Sequence, residues 1–210
     1  MTYQQKFQLY QINQLNYYEM FKKEITVDEI NNLELKKYSG KVLVIDSKKL
    51  IKNSCEEIKK NNIIGIDTET KPSFQKGIKN RVSLIQIATV KNVYLFRINK
   101  IEFPDELLDI FSDIKIIKVG IAIHDDVRDL KRIKNFKERS FIDLNNLAKN
   151  FGFISIGAKK LSALVLGIRI SKKQQLSNWE TELLSSKQID YAATDAWICR
   201  EIFIKIKELY

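Results

Sequence analysis

The chain has 210 residues, 44% of them hydrophobic and 30% charged, enough for one sizeable buried core, and its 36 Lys and Arg against 26 Asp and Glu leave a formal net charge of +10. No apolar run approaches the roughly 20 residues of a membrane-spanning helix, the start Met1-Thr2-Tyr3-Gln4-Gln5-Lys6 has no signal-peptide pattern, and Cys55 and Cys199 show no ligand-type spacing, which sets aside a membrane protein, a disulfide framework and a zinc site. The expectation is a soluble, cytoplasmic protein whose basic excess either suits a polyanion through phosphate contacts and counterion release or is an inert surface.

Residues 1–40 read as an extension that packs on the domain. It is rich in Tyr, Gln and Asn, and Thr26-Val27-Asp28-Glu29 is a capping-box pattern that opens a short helix with Ile30 and Leu33 inward. Its aromatics, Tyr3, Phe7, Tyr10, Tyr17, Tyr18 and Phe21, serve as anchors of a docked segment or as stacking surfaces for bases. From Lys41 the pattern is regular. Val42-Leu43-Val44-Ile45 reads as a strand, and Ser47 is placed to cap a helix carrying Leu50, Ile51, Cys55 and Ile58. Ile63 to Asp67 is the next strand, Lys71 to Lys79 a basic loop, and the runs Val82 to Val90 and Val93 to Arg97 form a hairpin turning at Lys91-Asn92. Pro104 opens a helix with Leu107, Leu108 and Phe111 inward, Ile114 to Val119 reads as a buried strand, and a helix with Val127, Leu130 and Ile133 follows. Phe141-Ile142-Asp143-Leu144 is a short strand or helix start, and residues 158–210 read as mostly helical, ending in a stripe of Ile189, Ala192, Ala196, Cys199, Phe203 and Ile206. A meander followed by alternating strands and helices implies an α/β fold with a mixed sheet covered by helices.

The chemistry concentrates where Ile63-Ile64-Gly65-Ile66 runs into Asp67-Thr68-Glu69. On a strand the period of two puts both carboxylates on one face, where they repel and resist desolvation unless a cation or solvent relieves them. A solvated turn and a divalent metal site both fit that pair alone. Tyr191 and Asp195 stand four apart and share a helix face one turn from each other; spacing equally fits a solvated Asp on an amphipathic helix. In His124-Asp125-Asp126-Val127-Arg128-Asp129, an acid at the helix start is favoured by capping and the dipole, whichever of Asp125 and Asp126 supplies it, and Asp129 reads as a surface residue.

Taken together these segments resemble the DEDD 3′-to-5′ exonucleases, in the branch with a catalytic tyrosine that includes ribonuclease D and the exonuclease domain of the Werner syndrome protein. The likeness rests on Asp67-Thr68-Glu69, on Lys118 to Leu130 with Asp126 selected by the register from Val119-Gly120, and on Tyr191-Ala192-Ala193-Thr194-Asp195. Arg81 to Gln86, Tyr94-Leu95-Phe96 and the Werner-like Ser177-Asn178-Trp179 support it, over about residues 41–208. The resemblance implies a ribonuclease H-like sheet with an antiparallel three-strand meander plus parallel strands, in an exonuclease domain spanning 41–210. It implies hydrolysis of terminal phosphodiesters to nucleoside 5′-monophosphates, with two Mg²⁺ or Mn²⁺ ions held by Asp67, Glu69, Asp126 and Asp195, and with Tyr191 orienting the attacking water. In the sister branch a histidine stands five residues before the last Asp; that position here is Asp190, so His124 is not a base and belongs to the helix start or core edge. Arg128 replaces an aromatic of the Werner-type domain, a departure that bears on duplex-end stacking.

Phosphate contacts are expected from Lys76, Lys79 and Arg81 around the basic loop, and from Lys159, Lys160, Lys172 and Lys173 before Trp179. The expected partner is nucleic acid with a free 3′ end, DNA favoured over RNA by the likeness to the Werner-type domain; neither a membrane nor a protein partner is indicated. A binding module that keeps the fold with little catalysis is the alternative, as is an RNA 3′-end trimming enzyme.

Overall fold

The computed structural model describes residues 21–73 and 80–208. Among them a six-stranded sheet forms from β1 (Lys41–Ile45), β2 (Ile63–Thr70), β3 (Val82–Ala88), β4 (Asn92–Phe96), β5 (Ile117–Gly120) and β6 (Phe141–Asp143), in the order β1-β4-β3-β2-β5-β6. Pairs β2/β3 and β3/β4 are antiparallel, and β1/β4, β2/β5 and β5/β6 are parallel. The meander plus parallel strands is therefore present. The turn between β3 and β4 closes through Thr89, whose N–H and hydroxyl both donate to Asn92 O, at 2.9 and 2.8 Å.

Among the described residues the helices are α1 (Val27–Asn31), α2 (Ile51–Lys59), α3 (Ile98–Ile101), α4 (Asp105–Ser112), α5 (Ile123–Ile133), α6 (Leu144–Asn150), α7 (Ala158–Leu166) and α8 (Ser186–Lys207). They divide between the faces of the sheet according to the alternation along β2. Ile64 and Ile66 lie in one core with Ile51, Cys55, Ile58, Leu107, Phe111, Val127 and Leu130, from α2, α4 and α5. Gly65 faces the other way, against α8, and Leu84, Ala88, Val93 and Leu95 pack on Ala192, Ala193 and Ala196 of that helix. A third cluster joins Val119 and Leu144 to Leu161, Ile198 and Ile202. Burying each such Ile or Leu contributes about 1.5 to 3 kcal/mol.

Residues 21–38 lie against this body. Phe21 packs on Phe153 with ring centroids 5.9 Å apart, Ile154 N donates to Lys23 O at 2.8 Å, and the Thr26 capping box forms as its sequence predicts, with Ile30 buried. Tyr3, Phe7, Tyr10, Tyr17 and Tyr18 lie outside the described residues.

Several local expectations are corrected. Ser47 starts a 3₁₀ turn (Lys48–Leu50) without a side-chain cap, the helix begins only at Ile51, and Leu50 is exposed. The fifth strand begins at Ile117 because Asp113 accepts Lys115 N at 2.8 Å and turns the chain, leaving Ile114 exposed. Residues 168–185 are not helical: Gly167 adopts a left-handed conformation (φ 66°), its N–H donating to Ala163 O, and stops α7.

Candidate active site

β2 delivers Asp67 and Glu69 to the α8 side because they continue the alternation that puts Gly65 there. The backbones meet closely at that point: a Cβ on Gly65 would stand 2.1 Å from Ala196 O and 2.8 Å from Arg200 N. No larger residue allows this approach, and it brings Asp195 of α8 to the acid pair. Carboxylate oxygens of Asp67, Glu69 and Asp195 all lie within 4.8 Å of one another. Asp195 is 3% exposed and Glu69 8%, so the solvated-helix alternative for Asp195 does not hold.

The electrostatics follow from crowding three acids out of water. Burial, then the charges of Asp195 and Asp126, push Asp67 well above the ordinary carboxylate range. Burial, then Asp67 and Asp195, push Glu69 up to about 10, and burial raises Asp195 as well. The Lys172 ammonium sits 2.8 Å from Asp195 Oδ2 and 3.4 Å from the Tyr191 hydroxyl. Burial disfavours its charge, but Asp195 and Asp67 outweigh that and raise its pKa. Asp195 Oδ1 is buried with no hydrogen-bond partner among the described residues. An orphaned oxygen beside two crowded carboxylates is a donor set suited to a hard divalent cation, which takes oxygen ligands.

Asp126 stands apart from these three. It lies in the first turn of α5, where Thr68 Oγ1, on the opposite face of β2 from Asp67, donates to its Oδ1. Burial raises its pKa to about 6. A cleft of about 260 Å³ lies between Glu69 and Asp126. Its neighbours Asp125 and Arg128 form an exposed ion pair of 2.7 Å. Asp129, read as a surface residue, is instead largely covered, its side chain 15% exposed and 3.0 Å from Arg132. His124 is exposed at the start of α5 and takes no part in the core.

Tyr191 is held from beneath. Its ring lies 5.9 Å from that of Trp179, which is fully buried, and Lys172 Nζ stands over the ring, 5.2 Å from its centroid. Arg97, itself buried at the end of β4, donates to the carbonyls of Thr181 and Glu182 and so ties the segment carrying Trp179 to the sheet. Gln188 Nε2 adds a bond to Asn178 O at 3.1 Å. Burial, then Asp195, raise the Tyr191 phenol above its ordinary value, so the hydroxyl is a hydrogen-bond donor at neutral pH.

Of the basic positions, Lys159, Lys160 and Lys173 are exposed beside the Lys172 segment, and Arg81 is exposed just before β3. Lys76 and Lys79 lie outside the described residues. Sequence reasoning missed three contributors: Gly65, for which a glycine inside an apolar strand was the available signal; the Arg97 clamp, which had none; and Lys172 as the counter-charge of Asp195.

A family model for 3′-5′ exonucleases matches residues 42–210. A putative 3′-5′ exonuclease of Acanthamoeba polyphaga mimivirus is 33% identical over 204 residues, covering 88% of this chain and 49% of the relative. The bifunctional 3′-5′ exonuclease/ATP-dependent helicase WRN of Mus musculus is 32% identical over 155 residues, 70% of this chain and 11% of the relative. The chain thus spans about half or less of these relatives. The crystal structure of the Aedes aegypti Nibbler EXO domain superposes with a TM-score of 0.76 at 24% identity, covering 83% of this chain and 92% of that one, a likeness of fold. With the family model matched over most of its length and the fold shared, the chain belongs to the 3′-5′ exonuclease family of DEDD type.

Proposed function

We propose that the protein removes nucleotides one at a time from the 3′ end of a nucleic acid, releasing nucleoside 5′-monophosphates with the help of two divalent cations, Mg²⁺ or Mn²⁺. The observation that carries this reading is the meeting of Asp67, Glu69 and Asp195 within 4.8 Å, with Tyr191 one helical turn from Asp195. Asp67, Glu69 and Asp195 would hold one cation, and Asp67 with Asp126 the other. When bound, such ions neutralise the phosphate and lower the pKa of an attacking water. Tyr191 acts as a positioning donor: its hydroxyl, fixed by Trp179 and Lys172, orients the water or a phosphate oxygen and has no role as a base. DNA is favoured over RNA by the Werner-like Ser177-Asn178-Trp179, of which Trp179 supports Tyr191.

The test incubates the purified protein with Mg²⁺ or Mn²⁺ and end-labelled single-stranded DNA, duplex DNA with a recessed 3′ end, and RNA. A ladder shortening stepwise from the 3′ end is expected, faster on DNA, and Asp67→Ala abolishes it while the protein stays folded. Undiminished turnover by Asp67→Ala, or no degradation of any substrate by the native chain, refutes the assignment, the latter in favour of a binding module.

A further inference from the structure

The metal site is acidic and repels a phosphodiester until cations neutralise it, so affinity for a strand has to come from elsewhere on the surface. On the far side of Lys172 the structure opens into a groove of about 580 Å³, which continues past Leu35, Ser171 and Lys173 into a second of about 330 Å³. Lys172 lines both the first groove and the small cavity between Asp67 and Asp195, so the two adjoin at that side chain.

Its two walls come from distant parts of the chain. One is Lys159 and Lys160 of α7 with Arg169 and Lys173. The other is residues 27–37, outside the span matched by the exonuclease family. That wall is fixed by paired backbone bonds, Lys36 N to Arg169 O at 2.8 Å and Arg169 N to Glu34 O at 2.9 Å, and Tyr38 N donates to Thr194 Oγ1, next to Asp195, at 3.0 Å.

The lining is predominantly basic: its one acid, Asp190, pairs with Lys37 at 2.7 Å, and Lys36 pairs with Glu34 at 3.1 Å. Lys159, Lys160, Lys173 and Lys187 form no ion pair with any described residue, and Arg169 Nε is buried without a partner among them. Exposed Val27 and Leu35 add apolar surface between the cations. A row of unpaired cations flanking apolar surface, in a groove walled on both sides, fits one sugar-phosphate backbone with its bases; a duplex presents two backbones to a broader face.

From this arrangement we propose that residues 27–37 form the second wall of a binding groove for single-stranded nucleic acid, which grips the strand upstream of the terminal phosphodiester and feeds its 3′ end past Lys172 to the carboxylates. The direction of feed rests on the exonuclease reading; the groove's affinity for a strand is tested without it.

The full chain in EDTA, where no hydrolysis occurs, is titrated into a 5′-fluorescein 15-nucleotide single strand and its affinity followed by anisotropy at several salt concentrations. The native chain binds the single strand more tightly than the matching blunt duplex. Lys36→Glu with Lys173→Glu, one from each wall, weakens binding at least tenfold and reduces the log–log salt slope by about 1.4, two single-strand phosphate contacts at about 0.7 each. Lys159→Glu with Lys160→Glu does likewise on one wall alone and guards against misfolding of the first pair. The control Lys49→Glu with Lys52→Glu, the same charge change on exposed residues around α2 across the sheet, stays within twofold. Native affinity in both groove variants, an equal loss in the control, or equal affinity for the duplex overturns the proposal. Mononucleotide release with Mg²⁺ reads the other claim separately: a native chain that binds through the groove yet releases nothing overturns the exonuclease reading alone.

Discussion

Gly65→Ala tests whether close approach of β2 and α8 builds the proposed metal site. The added methyl would lie 2.1 Å from Ala196 O, where ordinary contact begins at 3.4 Å, and the next obstacle, Arg200 N at 2.8 Å, is also backbone. Neither atom can rotate away as a side-chain tip could, so α8 must withdraw from the strand by roughly 1 Å, an overpacking strain of about 2 kcal/mol. For a chain of this size that lowers Tm by about 4 to 8 °C. Activity falls further than stability, because Asp195 and Tyr191 ride on the displaced helix while Asp67 and Glu69 stay with the strand, and a 1 Å misplacement of reacting groups costs about 100-fold. The assays are a thermal melt and kcat/KM for mononucleotide release at a temperature where the variant is folded. A folded Gly65→Ala with native Tm and native kcat/KM would refute the argument that this contact sets the site's geometry.

Lys172→Met removes the cation beside Asp195; without divalent ions it melts about 4 to 8 °C lower, from the loss of about 2 kcal/mol in a charged hydrogen bond, and Mg²⁺ then raises its Tm by more than it raises that of the native chain. Equal Mg²⁺ shifts in thermal melts of the two would show that Lys172 does not share the cluster's charge with a cation. Lys118, fully buried in β5, donates to Asp113 O at 2.7 Å, and burial lowers its pKa to about 8 from 10.5. In the folded chain its charged form is disfavoured, so the unfolded chain holds more protons between pH 8 and 10.5; this residue's contribution to stability rises with pH across that window and is lost as pH falls through 8. Denaturant melts of Lys118→Met lack that rise, and identical pH profiles for variant and native chains would contradict the assignment.

The acids were legible in sequence because strand alternation and helical spacing are local, and the resemblance placed Asp126 among them. What escaped depended on contacts between distant segments. Nothing near Arg97 announces that its guanidinium holds the carbonyls of residues 181 and 182, since carbonyl acceptors carry no sequence signature. Lys172 read as one more basic residue because its partner lies on another element. The helical expectation over 158–210 fails at residues 168–185 because the clear helical stripe lies only from Ile189 on; Ile168, Ile170 and Trp179 are buried by a chain that winds irregularly over the core, at spacings that give the three no common helix face. The edges of elements slipped where one side chain competed with the expected hydrogen bonds, as Asp113 did ahead of β5.

Because Asp67, Glu69 and Asp195 lie on one side of β2 and the Thr68–Asp126 bond on the other, the site belongs to neither layer of the protein alone. A partly folded chain that keeps only the α2, α4 and α5 core, or only the α8 core, lacks some of the acids that would hold the proposed cations. On the proposed two-cation reading turnover requires both cores at once, which makes the onset of activity during refolding a clock for the last layer to dock.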